Sequence, residues 1–163
     1  MKKIVSKTKD LLKSASDVRT RVVKKMTDIM RPDWEEIWMD FAYSISRRSY
    51  DPRYQVGAVV TTESNTQVLA VGYNGNYSGG PNEVESTVPG ESGMLHAEIN
   101  ALLKMDYNNP QRKIMYITLS PCKMCAKAII NAGIDTVIYS DEYRDTSGLE
   151  ILKNANVKVS KTN

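Results

Sequence analysis

Apolar positions along the chain change period several times, and each change marks an element. Over residues 33–48, Trp34, Ile37, Trp38, Phe41, Ala42 and Ile45 recur three and four apart, which is one face of an α-helix. Pro32 and Asp33, with Glu36 three residues beyond the cap, predict its N-terminus. Upstream, Val18, Val22, Val23, Met26, Ile29 and Met30 predict an amphipathic helix across 16–30. QVGAVVTT and QVLAVGY are short and β-branched, and the polar ESNTQ between them predicts a hairpin. Residues 74–93 are rich in Gly, Pro, Asn and Ser and read as a long loop, a kind usually functional inside a domain. MLHAEINALLKM returns to helical spacing, and RKIMYITLS reads as a buried strand. PCKMCAKAIINAG predicts a helix entered at Pro121 and stopped at Gly133. DTVIYS, TSGLEILKNAN and VKVS then predict strand, helix and strand. Strands interleaved with helices in this order predict an α/β fold, a three-layer α/β/α sandwich around a mixed five-stranded sheet.

Composition narrows the class without naming it. The chain has 163 residues, 41% hydrophobic and 25% charged, enough for one core that needs no disulfide staples. No segment approaches the roughly 18 consecutive apolar residues that span a bilayer. The lysine-rich start is not followed by an apolar core, so no secretory leader and no membrane partner are expected. With two cysteines in the whole chain, a secreted disulfide framework is excluded and a cytoplasmic location is expected. Net charge is a modest +3, yet ten Lys or Arg and three Asp fall within residues 1–31. Residues 1–31 therefore read as a basic, helical N-terminal extension on a domain spanning 32–163. Its charge reads as a solvated face, and nucleic acid is not an expected partner.

The candidate chemistry lies in HAE and SPCKMC. A Cys-x-x-Cys pair serves as a disulfide, a redox couple, half of a structural zinc site or part of a catalytic one. A closed structural zinc takes four Cys or His ligands, and the chain owns three: His96, Cys122 and Cys125. A redox role leaves His96 and Glu98 without a task. An open zinc site uses all four: His96, Cys122 and Cys125 as ligands, with Glu98 beside them as the base. His96-Ala97-Glu98 with Pro121-Cys122-x-x-Cys125 matches the H-x-E and P-C-x-x-C signature of zinc nucleobase deaminases.

From about residue 34 to 160 the chain resembles the deoxycytidylate (dCMP) deaminases, including those of phages. The resemblance rests on RSYDPRYQVGAVV, GYNG, HAEINAL, MYITLSPCKMCAKAIINAGI and GLEILKNANVKV. It implies a cytidine deaminase-like fold and one catalytic Zn2+ per subunit. It also implies hydrolytic deamination of dCMP to dUMP, feeding dTMP synthesis, in the cytoplasm or, for a phage-encoded chain, the host cytoplasm. Glu98 would carry the proton to N3 of the ring and then to the leaving ammonia. A dianionic substrate needs a cation, and Arg48 and Ser49 match a family Arg-Ser; Arg47, Arg53 and Arg144 come after them. Asn74 of GYNG matches an asparagine that binds the sugar hydroxyl. Val56, Gly57 and Ala58 would run beneath the base, the Ala97 backbone would orient it, and Tyr139 or Tyr143 would stack on it. The family also implies a homo-oligomer, a hexamer or a dimer.

Two departures qualify the resemblance. No His or Cys is left for the second, structural zinc of some phage members. Many members carry an arginine after GYNG that suits a nucleotide effector, whereas this chain reads NYSGG there. That argues against a dCTP/Mg2+ effector and leaves room for dCTP or 5-methyl-dCMP as substrate. A tRNA adenosine deaminase and a zinc-stabilised nucleic-acid-binding module are the alternatives; the module has no use for Glu98.

Overall fold

The computed structural model describes residue 18 and residues 31–88 and 91–162. The helix expected across 16–30 lies outside the described residues apart from Val18. Trp34–Asn163 form one compact unit. Its elements run α1 (Trp34–Ser46), β1 (Gly57–Thr62), β2 (Val68–Tyr73), α2 (Ala97–Leu102), β3 (Lys113–Leu119), α3 (Lys123–Asn131), β4 (Thr136–Asp141), α4 (Ser147–Asn154) and β5 (Lys158–Lys161). This is the order read from the sequence. The shortfall is in α2, which is six residues long where the apolar spacing ran to twelve. Among the described residues, no helix is long and apolar enough to cross a membrane.

The five strands form one mixed sheet in the order β2-β1-β3-β4-β5. The β1–β2 hairpin and the β1–β3 pair are antiparallel, while β3–β4 and β4–β5 are parallel. Side chains alternate across a strand, so each strand supplies two layers. Ala58, Val60, Met115, Ile117 and Val137 face one side and pack with Ala97, Ala101, Ala126, Ile129, Leu149 and Leu152 of α2, α3 and α4. Val59, Ile114, Tyr116 and Ile138 face the other side and meet Met39 and Ala42 of α1. Both faces are thus covered, as parallel strands require. Ile129 and Leu152 are fully buried; such a side chain contributes roughly 1.5–3 kcal/mol by leaving water.

Local chemistry ends the helices where the sheet needs the chain back. Gly133 adopts φ +71°, and its amide reaches Ile130 O at 3.0 Å while Ile134 N reaches Ile129 O at 3.3 Å. Asn156, at φ +61°, repeats the pattern after α4, with Asn156 N to Lys153 O and Val157 N to Leu152 O, both 3.0 Å. These paired bonds satisfy carbonyls that the last turn would otherwise leave open. Each turn directs the chain into the next parallel strand on the same side of the sheet.

Gly72 seats the short α2. A Cβ at that position would overlap the Ala97 carbonyl oxygen and the Ala101 amide nitrogen. Backbone cannot give way as a flexible side chain can, so Gly72→Ala is expected to destabilise the fold by about 2–4 kcal/mol. Urea unfolding of the two proteins checks this, and a change below about 0.5 kcal/mol would contradict the seating argument.

Candidate active site

The site forms where β3 ends. Leu119 leads through Ser120 and Pro121 to Cys122, the N-cap of α3, with extended φ −71° and ψ 172°. Cys125 lies in the first turn of α3 and is buried. Three residues is nearly one helical turn, so Cys125 comes back to the side from which Cys122 projects. His96 is the N-cap of α2, also extended at φ −69° and ψ 156°. The Gly75–Leu95 bridge ties the residue before it to the end of the hairpin. Gly148 of α4 lies against the Pro121 carbonyl and Cys122, leaving no room there for a Cβ.

These placements bring three donor atoms together. His96 Nδ1 is 3.6 Å from Cys122 Sγ and 3.3 Å from Cys125 Sγ. All three ligand atoms lie within 4.8 Å of one another. Tetrahedral zinc with bonds of about 2.1 Å to nitrogen and 2.3 Å to sulfur sets those atoms about 3.6 Å apart. The observed spacing therefore fits zinc, and the donor set of one imidazole and two thiols has the right softness for it.

Electrostatics within the cluster point the same way. Cys122 and Cys125 share a hydrogen bond, which holds the Cys122 thiol down at about 3 and pushes the Cys125 thiol up. The hydrogen bond to Cys122 raises His96 above its usual value, against the effect of burial. Glu98, 3% exposed, is raised above the usual carboxylate range chiefly by burial. A carboxyl in this setting can hold a proton and release it.

A cavity of about 380 Å³ opens over the cluster, within the range of small-molecule sites of about 300–1,000 Å³. His96, Ala97, Glu98 and Cys122 line it together with Leu119 and Ser120 at the end of β3. Val56 and Asn74 enter from the hairpin, Met94 from the long loop, and Arg53 and Arg144 from opposite sides of the chain order.

The model of the cytidine and deoxycytidylate deaminase zinc-binding region matches residues 32–141. The chain belongs to this deaminase family. The human deoxycytidylate deaminase is 35% identical over 135 residues, covering 76% of this chain and 72% of the human one. The deoxycytidylate deaminase of Mycobacterium phage D29 is 35% identical over 127 residues, 69% of this chain and 98% of its own. The dCMP deaminase of cyanophage S-TIM5, solved in complex with dCMP and dUMP, superimposes with a TM-score of 0.71 at 38% identity, covering 81% of this chain and 98% of that one. The mixed sheet and its helices are the fold of these deaminases.

Within this deaminase-family site, the residues expected from the sequence divide. His96, Cys122, Cys125, Glu98, Asn74, Ala97 and Tyr143 come together at the cavity. Arg48, Ser49, Ala58 and Tyr139 are not among the residues lining it. Arg48 is exposed in the turn that closes α1. Ser49 is buried but faces its own loop, accepting from Asp51 N at 3.2 Å and, through its carbonyl, from Gln55 Nε2 at 2.9 Å. Ala58 lies in the core beneath α2, and its neighbour Val56, two residues back, is the one that reaches the cavity. Tyr139 sits in the same core, where burial raises its phenol. The cations that do line the cavity are Arg53 and Arg144, which the sequence reading placed behind Arg48. The usable signal was Asp51-Pro52: an aspartate starting a turn accepts the amide two residues on, and Asp51 Oδ1 does accept Arg53 N at 2.8 Å.

Asn74 has a structural task alongside any contact with ligand. Its Oδ1 accepts from Val56 N and its Nδ2 donates to the Tyr54 carbonyl, both at 2.8 Å. It thereby fixes the 54–56 backbone at the cavity wall. Asn74→Ala leaves both groups without that partner and is expected to lower stability by about 2 kcal/mol. Chemical denaturation measures this, and an unchanged midpoint would show that the two bonds hold nothing in place.

Proposed function

We propose that this chain catalyses hydrolytic deamination of dCMP to dUMP and ammonia, supplying dUMP for dTMP synthesis. The observation that carries the reading is the meeting of His96, Cys122, Cys125 and buried Glu98 in one cavity that two arginines also line. The human, phage D29 and cyanophage relatives are named for this activity, and their substrate supports the choice.

His96 Nδ1 and the two Sγ atoms would hold one zinc per subunit. When bound, zinc supplies a Lewis acid and lowers the pKa of water at its open position. The chain's own groups do the rest. Glu98 takes a proton, delivers it to N3 of the cytosine ring, and passes a second to the departing amine. Water contributes the oxygen of the uracil, and the exocyclic nitrogen leaves as ammonia. Ala97, at the helix start between ligand and acid, presents its backbone to the base, and Asn74 offers its remaining N–H to the sugar. The Tyr143 ring forms a side wall against which the base can lie. Val56, Met94 and Leu119 give the cavity an apolar stretch of wall.

The same reading includes assembly as a homo-oligomer, a hexamer or dimer, and activity that does not require a dCTP/Mg2+ effector. It sets the basic segment 1–31 apart from the catalytic domain at 32–163.

Glu98→Gln keeps the size of the side chain and removes its acid–base function. The variant is expected to retain one zinc per subunit by metal analysis and to lose about 10³-fold in kcat for ammonia release from dCMP. Near-native turnover would overturn Glu98 as the acid–base group; loss of zinc would make it a structural residue of the metal site.

A further inference from the structure

We infer that Arg53, rather than Arg48 or Arg144, recognises the substrate's 5′-phosphate and so separates a nucleotide from its nucleoside. This rests on the deaminase reading above and deepens it.

Three observations carry the inference. Arg53 lines the cavity, whereas Arg48 does not. Its guanidinium is held at two points: Nη1 donates to the Thr87 carbonyl at 2.6 Å, and Nε lies 3.6 Å from Asp51 Oδ1. Asp51 is in turn fixed, because its Oδ1 accepts the amides of Arg53 at 2.8 Å and Tyr54 at 3.3 Å. Finally, Arg53 Nε is buried and makes no hydrogen bond to the protein.

A guanidinium carries five N–H donors in a rigid fork. One is used on Thr87. Among the described residues the other Nη donors have no hydrogen bond to the protein, while the buried Nε faces Asp51. A phosphate oxygen is the acceptor for which such a fork is shaped. Both anchors restrict the side chain before any ligand arrives, so less rotamer freedom is lost on binding. Asp51 lines the same cavity and shares the guanidinium with the incoming anion. The two amides on its Oδ1 spread that charge, and its position orients the fork.

Arg144 lacks these features. It is exposed, and its guanidinium lies 5.5 Å from the centre of the Tyr143 ring. An exposed cation is strongly hydrated and screened, so it attracts the anion without fixing its position.

The discriminating probe is the product and its unphosphorylated form. Zinc-loaded full-length protein is titrated calorimetrically with dUMP and with deoxyuridine, as wild type, R53Q and R144Q. Loss of a charge-assisted fork predicts that R53Q binds dUMP about 30-fold more weakly, with the dUMP-to-deoxyuridine preference falling in step. R144Q is expected to lose about threefold or less. A preference retained by R53Q, or lost equally by R144Q, overturns the assignment. Wild type without preference for dUMP over deoxyuridine overturns the nucleotide reading itself, and the inference with it. A second measurement does not depend on the variant folding. Phenylglyoxal modification of Arg53 in wild type, read by peptide mass spectrometry, is expected to be blocked by dUMP and not by deoxyuridine. Equal modification with either would count against Arg53.

Discussion

The site depends on two places where helix backbone lies directly on backbone. At Gly72 the backbone of α2, at Ala97 and Ala101, rests on β2, and at Gly148 the start of α4 rests on the Pro121–Cys122 turn. His96 leads into the first of these helices, and Cys122 belongs to the second contact. Three ligand atoms within 4.8 Å of one another demand helix starts positioned to a fraction of an ångström. Side-chain packing alone leaves more play than that, because rotamers adjust. Contacts without side chains do not adjust, and they transfer the precision of the sheet to the ligands. The short α2 follows from the same demand: its six residues are those that lie on the hairpin, and they end once Ala101 and Leu102 are buried.

A second constraint is that this precise cluster is electrically expensive. It gathers two thiols, an imidazole and a carboxyl with little access to solvent at Cys125 and Glu98. Without a cation, the hydrogen bond between the sulfurs holds Cys122 down and pushes Cys125 up, and burial raises Glu98. A divalent ion would neutralise both thiolates. The arrangement thus makes sense as a metal site and poorly as a hydrogen-bonded core. Glu98 then stands as a buried acid, in the first turn of the helix that His96 caps, that the candidate ligand set does not use.

Much of this was legible in the sequence because periodicity and ligand chemistry are local. The alternation in β1 and β3 sorts Ala58 and Val60 from Val59, and Met115 and Ile117 from Ile114 and Tyr116, onto opposite layers. Gly133 announced the end of α3 by needing a left-handed conformation. His96, Cys122 and Cys125 were marked by being the chain's whole stock of histidine and cysteine. The length of α2 was not legible, since Leu103 and Met105 continue the apolar spacing past the point where the helix stops. Met105 is buried without being helical, and Leu103 is exposed. Apolar spacing records which residues reach the core, and a turn can deliver them as well as a helix.

The polar wall of the cavity was the least legible part, for a related reason. Residues 47–55 carry Arg47, Arg48 and Arg53 with nothing in composition to rank them. Their fates are set by a chain of hydrogen bonds. Ser49 accepts Asp51 N, Asp51 accepts the amides of Arg53 and Tyr54, and Asn74, just past the end of β2, holds Tyr54 and Val56. Each link is weak on its own, at about 0.5–1.5 kcal/mol net. Together they turn the loop so that Arg48 remains in water while Arg53 enters the cavity. Ser49, placed at the substrate by the sequence, begins the chain of bonds that brings Arg53 to the cavity wall. In this fold the turn chemistry of an aspartate and an asparagine therefore decides which arginine reaches the cavity, and the position of Arg53 follows from it.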